Sequence, residues 1–590
     1  MNKFVKTLLA LGITSAFGLS VANAATYQVI DKGDISSLKY TYAQEENNAG
    51  DMVMSGANVY NFPVQFQYLE QTDYDAIELL AARSAESVHE LSALQDKALL
   101  EAGTPTANDL AWVVRYLQSK STNVYQKVGN NSAIINIGGI SQELAIFDTT
   151  FEGTNSLTRS TNDYVNGITD DGWVYGNGSA PYLPLEYTQD DGGEVTYWLR
   201  EFTSRGYFSV DYGQTIIEVI PPENRFGGES AILDISDSHY AVGYASVAID
   251  ESKLTTIEDE SGGCADPENL ANVPFEVCVQ GLASNLYDLR AFKWSLDSSG
   301  VVSEENLGLL VTPNEEDVRA FTSVAQAVNS HGVAVGFAHG WWDETETEPV
   351  KNEARKTYAV VYKDGRVVDF TEDHSKEFDS RAYDINDAGI AVGHVNKYVN
   401  GTRRTKFYYV DTTDLDNMTM VQPEDFFTGS SSTAKSINEN GIIVGYGEVE
   451  THQYDPDRSS NNPRRTHAFM YDINSNAFTD LNDLLSCNSV YTVIEAAAIN
   501  ENNEISATAI VKVPRRDPKG ELMLGDDGQQ LTEDVVRAIK LAPLAGEIED
   551  CSQVEEKVER QGAGFGMFTA LALFLMALTR RKHHNVICHK

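Results

Sequence analysis

Two stretches of this chain share one grammar. Ala382 to Gly393 reads A-Y-D-I-N-D-A-G-I-A-V-G, and Ala434 to Gly445 reads A-K-S-I-N-E-N-G-I-I-V-G. In each, an Ile (Ile385, Ile437) precedes an Asn (Asn386, Asn438), a Gly follows three residues later (Gly389, Gly441), and a short apolar run ends in Val-Gly. The Asn can cap its own turn and the Gly tolerates positive φ, so the string spells strand, tight turn, strand. Such a motif builds a fold rather than a reaction.

Five weaker copies extend the series: Glu46-Asn47 with Gly50, Ile168-Thr169 with Gly172, Ile235-Ser236 with His239 in the Gly place, Val328-Asn329 with Gly332, and Ile499-Asn500 with Asn503. Four positions on, the closing Gly recurs as Gly176, Gly243 and Gly336, while Met54 and Ala507 replace it in the end units, where repeat arrays usually degenerate. A strand with aromatic punctuation is expected after each copy: Phe66-Gln67-Tyr68, Tyr197-Trp198, Ala291 to Trp294, Tyr358 to Tyr362, Phe407 to Tyr409, His467 to Tyr471, and Arg537 to Ile539. Val367 to Phe370 and Phe478 to Leu481 supply a third element. Seven units of small antiparallel sheet predict an all-β, seven-bladed propeller over residues 25–549. Tyr27 to Asp31 has the character of a blade-closing strand with no blade before it, so pairing it with the last unit, after Ile539, would close the ring and hide two sheet edges.

Two steps between copies are long, and both hold insertions. Residues 70–120 carry Ile77, Leu80, Val88, Leu91, Leu94 and Ala98 at helical spacing up to Gly103, then Leu110, Val113, Val114 and Leu117, which predicts an αα-hairpin. Residues 249–286 are acidic and Gly-rich and contain Cys264 and Cys278, which predicts a disulfide-stapled surface loop.

The two ends read as export signals. Lys3 and Lys6 precede an apolar stretch from Leu8 to Val21, and Ala22-Asn23-Ala24 has the form of a cleavage site, so residues 1–24 are expected to leave a mature chain that begins at Ala25. At the other end, residues 550–562 form a charged stalk, and residues 563–579 carry no charge over about 25 Å of helix. Arg580-Arg581-Lys582 opens the basic tail, 580–590, which the positive-inside rule places in the cytoplasm. Gly562-Ala563-Gly564, the apolar run and the Arg cluster resemble the GlyGly-type sorting signals cut by rhomboid-family proteases in Gram-negative bacteria. A plain one-span membrane anchor is the alternative.

With 87 acidic against 44 basic residues the formal charge is −43, which argues against nucleic acid and anionic lipid surfaces as partners. Four of the five cysteines, Cys264, Cys278, Cys487 and Cys551, fall on the exported side. They allow three pairings, of which Cys264–Cys278 and Cys487–Cys551 is the simplest, and the short loop would contribute about 3 kcal/mol. No Cys-x-x-Cys is present, so zinc-ribbon and thioredoxin readings drop out.

The His-Ala-Phe of residues 467–469, beside Ile-Asn-x-x-Gly-x-x-Val-Gly, resembles the extracellular HAF-repeat proteins. The whole exported body, with Asp480 to Leu484 before Cys487, is similar to an uncharacterised domain-of-unknown-function family of exported proteins in Gram-negative bacteria. The resemblance implies a repeat β architecture and export, and brings no catalytic residues.

No phosphate loop, nucleophile elbow, zincin motif or dinucleotide fingerprint is present. His89-Glu90 starts like a zincin, but Ala93 stands where the second His is required. Asp384, Asn386 and Asp387 in one turn, and Asp170-Asp171 in another, resemble calcium loops, making calcium the one cofactor worth weighing; both lack the bidentate Glu of an EF-hand. Asp455 to Arg458, with Asn461 and Asn462, reads as a solvated loop. His331, His339 and His394 lie in or just after repeat turns and could meet Asp387 and Glu439 in a central funnel. The sequence therefore supports an exported binding or scaffold propeller that meets an extracellular glycan or protein. Two rivals stand beside it: an extracellular polysaccharide hydrolase or lyase with its site in the funnel, and a periplasmic envelope protein anchored in the inner membrane by its tail.

Overall fold

The computed structural model describes residues 26–85, 87–88, 91–451 and 464–546. Seven antiparallel sheets form a β-propeller; six have four strands and the fifth has three. The first strands of the blades are Leu38–Glu46, Asp163–Ile168, Ser230–Ile235, Ser323–Val328, Glu377–Ile385, Ser432–Ile437 and Thr492–Ile499. Each packs against the first strand of the next blade, and the seventh against the first, so these strands line the axis. Apolar layers between neighbouring blades form the core. Val361 and Phe370 of blade 4, for instance, pack with Ala382, Tyr408 and Val410 of blade 5.

The ring closes as the repeat pattern predicts. Thr26–Asp31 pairs antiparallel with the last strand, Thr532–Leu544, from Thr26 against Leu544 to Asp31 against Ile539. The N-terminal segment thereby becomes the fourth strand of blade 7, and covalent order alone no longer holds the ends together.

All seven turns of the repeat are present, and each puts its fourth residue in the left-handed region: Gly50, Gly172, Gly332, Gly389 and Gly441, with His239 and Asn503 at φ 57° and 58° in the two Gly-less copies. The closing Gly answers a different need. The first strand bulges two residues before the turn, as between Ala382 and Asp384, and this pushes a carbonyl against the second strand. A Cβ on Gly393 would sit 1.9 Å from the Arg381 carbonyl oxygen, and one on Gly445 2.0 Å from that of Thr433.

Several assignments differ from the sequence pattern. In blade 1 the third strand is Ser132–Ile137, and Phe66–Tyr68 is a 3-10 turn inside the insertion. In blade 2 the third strand is Arg205–Ser209, while Tyr197-Trp198 belongs to an inserted hairpin, Leu183–Thr188 with Glu194–Leu199. Among the described residues the helical insertion has three helices, α1 (Gln71–Ser84), α2 (Lys97–Glu101) and α3 (Ala107–Gln118). The expected first helix is interrupted because the buried Asp109 carboxylate takes the backbone N–H groups of Gln95 and Asp96, ending the intervening segment at the cap of α2. The expected surface loop at 249–286 is instead a folded knot with helices α4 (Glu251–Glu258), α5 (Pro267–Leu270) and α6 (Phe275–Gly281). It has a small core of its own, in which Ile257, Val279 and Leu286 pack against Cys264, which is disulfide-bonded to Cys278 with a Cα separation of 5.6 Å.

In a sheet whose strands run in order, the connection from second to third strand lies at the end opposite the repeat turn. Five insertions use that connection: α1–α3 in blade 1, the inserted hairpin in blade 2, α4–α6 in blade 3, residues 342–354 in blade 4 and residues 515–531 in blade 7. Blade 5 connects there by the two-residue turn Asn400-Gly401, both at positive φ. One face of the ring is therefore a rim of seven short turns and the other is decorated. The decorations of blades 7, 1, 2 and 3 touch in succession: the Asn61 N–H donates to the Pro518 carbonyl, the Trp198 N–H to the Asn123 carbonyl, and the Asp190 N–H to the Ala271 carbonyl.

Candidate functional site

Two places could meet a ligand: the channel mouth on the turn face, and the decorated face.

At the mouth, the repeated Asn stitches the blades together. Its side-chain amide donates across to the same turn position of the next blade: Asn47 to Thr169 O (3.1 Å), Asn329 to Asn386 O (3.2 Å), Asn386 to Asn438 O (3.1 Å), Asn438 to Asn500 O (3.0 Å) and Asn500 back to Asn47 O (3.4 Å). Thr169 and Ser236 lack the amide. There His239 replaces the Gly, stacks on Trp173 with ring centroids 4.0 Å apart, and approaches Asp171 Oδ2 at 3.0 Å, so that blade 3 is tied to blade 2 by other means.

The residue after each Asn forms a second ring. Asp387 Oδ1 accepts from the Ser330 N–H (2.7 Å), Glu501 from the Glu439 N–H (3.1 Å) and Asp170 Oδ1 from the Asn48 N–H (2.8 Å), and the Asp387 N–H donates to Glu439. Deeper, the bulge residues of three alternate blades are acids, and each accepts a backbone N–H of the following blade: Glu45 from Ile168 (3.0 Å), Asp234 from Val328 (2.7 Å), Asp384 from Ile437 (2.8 Å). The Tyr175 hydroxyl lies between Glu45 (2.9 Å) and Asp234 (3.1 Å). Burial, reinforced by Asp234, pushes Glu45 up to about 8; burial, reinforced by Asp384, pushes Asp234 up to about 7; burial also raises Asp384. These acids and the outer ring line one cavity of about 230 Å³.

Of the residues singled out for a funnel, Asp387 and Glu439 come together here. The histidines do not. His331 is a largely exposed turn residue 3.9 Å from Asp387 Oδ1. His339 sits on the second strand of blade 4, accepts the Thr322 N–H at Nδ1 and meets Phe321 edge-on; burial, with Arg355 and Arg319 nearby, pushes it down to about 4. His394 sits within blade 5 beside Tyr383, and burial with Arg381 and Lys435 likewise pushes it down to about 4. The turns resembling calcium loops have their carboxylates in the hydrogen bonds above, and among the described residues no group of three or more His, Cys, Asp or Glu is arranged to hold a metal ion. Cys487 is disulfide-bonded. Cys551, Ala24, Ala25, Gly562, Ala563 and Gly564 lie outside the described residues, as do His89, Glu90 and the Asp455 loop; no helix among the described residues is long and apolar enough to cross a membrane.

The decorated face offers different chemistry in the gap over blades 4 and 5, where the Asn400-Gly401 turn leaves the rim low. Trp342, Phe378 and Tyr398 form a chain of rings with centroids 6.1 Å and 5.6 Å apart. Phe378 is buried, but Trp342 is 38% and Tyr398 65% exposed. Beside them Asp379, held at φ 47°, receives Arg403 at 3.2 Å and Lys356 at 3.8 Å, and both cations also lie over the Phe378 ring. Sequence reasoning missed this patch because its three rings come from three separate segments.

These features define a seven-bladed β-propeller, closed by its own N-terminal strand, with an acid-lined channel and one decorated face. The chain belongs to the family described as "Protein of unknown function (DUF3466)", whose family model matches residues 3–581. No curated protein matches it. Among solved structures it is similar to a puromycin-hydrolyzing peptidase of Mycobacterium tuberculosis (11% identity, 88% of this chain and 56% of that one, TM-score 0.35). It is also similar to an acylaminoacyl peptidase of Pyrococcus horikoshii (9%, 86% and 53%, TM-score 0.33). A third is an inulosucrase from Halalkalicoccus jeotgali bound to kestose (10%, 53% and 87%, TM-score 0.21). The chain spans little more than half the length of the two peptidases, and likeness at this level says nothing about activity.

Proposed function

We propose that this protein is exported and works by binding, with an extracellular glycan as the ligand of its decorated face. The observation that carries this reading is the Trp342–Phe378–Tyr398 ring chain. Sugar C–H faces stack on exposed aromatic rings, and the adjacent Asp379, Arg403 and Lys356 supply the planar and charged groups that hold hydroxyls. The hydrolase reading finds less support, because Glu45, Asp234 and Asp384 are engaged with backbone N–H groups and, among the described residues, no histidine joins them at hydrogen-bond distance. The apolar leader, the HAF-type repeat and the Gly562-Ala563-Gly564 tail support export; a rhomboid-type protease would release the mature chain from the membrane to the surface or medium.

Affinity electrophoresis of the mature chain in gels containing a neutral β-glucan, a soluble chitin derivative or alginate tests the binding reading. At least one polymer should retard the protein, and W342A/Y398A should abolish the retardation. Equal migration in all gels, or retardation that survives the double substitution, would refute it.

A further inference from the structure

Between the helical insertion of blade 1 and the residues 515–531 connection of blade 7 runs a cleft of about 540 Å³, within the range of about 300–1,000 Å³ usual for small-ligand sites. Its apolar wall comprises Val88, Leu91, Leu110, Val114, Phe62 and Met523. Four cations border it, and they are not equivalent. Lys39 pairs with Glu533 at 2.8 Å, and Arg516 donates to the Gly520 carbonyl at 2.7 Å. Among the described residues no carboxylate or hydrogen-bond acceptor pairs with the guanidinium groups of Arg115 and Arg515; Arg115 lies 6.0 Å from the Trp112 ring. In a chain with twice as many acids as bases, two guanidinium groups at one cleft with no ion-pair partner among the described residues are a charge complement for an anion. A planar guanidinium fork matches carboxylate or phosphate oxygens in pairs, and the wall behind it rewards an apolar tail.

We propose that this cleft binds an amphiphile with a single anionic headgroup, the head held by Arg115 and Arg515 and the chain laid along Val88, Leu91, Leu110, Val114 and Met523. The site is separate from the glycan patch and does not depend on it.

The test uses the full mature chain, stripped of lipid, in calorimetric titrations with oleate and with a lysophosphatidic acid, each below its micellar concentration, and with oleyl alcohol as the neutral counterpart. One-site binding of oleate or of the lysophosphatidic acid is expected, and which of them binds identifies the head as carboxylate or phosphate. R115A/R515A should weaken it by about tenfold or more, because charged hydrogen bonds are lost. Since neither side chain has an ion-pair or hydrogen-bond partner among the described residues, this variant should melt with the wild type; W342A/Y398A should leave the affinity unchanged. The proposal is overturned if neither anion binds, if oleyl alcohol binds as tightly as the anions, or if R115A/R515A binds like the wild type while folded.

Discussion

Replacing Asn438 by Ala removes the most heavily used link of the turn ring. Asn438 is 1% exposed, its Oδ1 accepts from the Ile442 N–H at 3.0 Å, and its Nδ2 donates to Asn500 O at 3.0 Å and Asn503 Oδ1 at 2.8 Å. The substitution strands the Ile442 N–H, at about 1–3 kcal/mol, and removes one bond to Asn500 O, which keeps the Asn503 N–H, at about 0.5–1.5 kcal/mol, so the cost is about 1.5–4.5 kcal/mol. With an unfolding entropy of about 2.1 cal/mol/K per residue, a ring this large would melt lower by only a few degrees, so chemical denaturation with a midpoint read by tryptophan fluorescence is the sharper assay. Asn438→Asp separates the two halves of the effect. An Asp keeps the acceptor for Ile442 but sets an oxygen against Asn500 O, so at neutral pH it should be at least as damaging as Ala. Below about pH 4 a protonated Asp can donate again, and the deficit relative to wild type should shrink. Thr169→Ala is the control: Thr169 accepts the Trp173 N–H within its own turn and makes no onward amide bond, so a loss of about 1 kcal/mol is expected. If N438A unfolds at the wild-type midpoint, or N438D matches wild type at neutral pH, the amide ring does not hold the blades together.

Three further outcomes follow from the same geometry. Gly393→Ala should destabilise by about 1–3 kcal/mol or more in denaturant titrations, since its Cβ would meet the Arg381 carbonyl at 1.9 Å, whereas Gly401→Ala, with open space around it but positive φ, should cost less. Glu45 has its folded-state pKa raised to about 8, so its contribution to stability is full below the unfolded value near 4.5 and is lost as pH rises through 8. Glu45→Gln keeps the acceptor for Ile168 and Tyr175 without ionising, and should therefore gain stability relative to wild type as pH rises from about 4.5 to about 8; parallel profiles would contradict the raised acid. Intact mass of protein recovered from the medium should give a chain that begins at Ala25 and ends near 562–564, while Lys590 retained in an inner-membrane fraction would exclude the sorting-tail reading.

The ring was legible because its determinants are local. A turn that needs positive φ at its fourth residue favours Gly, with Asn503 and His239 as the two substitutes, and a strand without a blade, Tyr27 to Asp31, has the place of a closing strand. What stayed hidden was set by position in space. Tyr197-Trp198 has the alternation of a blade strand, yet it lies in an added hairpin, and the true third strand, Arg205–Ser209, is no more conspicuous. The acids Glu45, Asp234 and Asp384 each stand two residues before the repeat Asn or its Ser substitute, but an acid in a strand reads as solvent-facing until the bulge is known to turn it into the channel. His339 and His394 were close to the right turns in sequence and on the wrong strand in space.

The claim that partners meet the decorated face rather than the channel is tested most directly by hydrogen–deuterium exchange of the mature chain with and without the polysaccharide that retards it. Protection is expected in the segments around Trp342, Phe378 to Arg381 and Asn396 to Arg404. Protection confined instead to the turns at Glu45 to Asn48, Asp384 to Asp387 and Asn500 to Glu501 would place the ligand in the acid-lined channel and contradict the account.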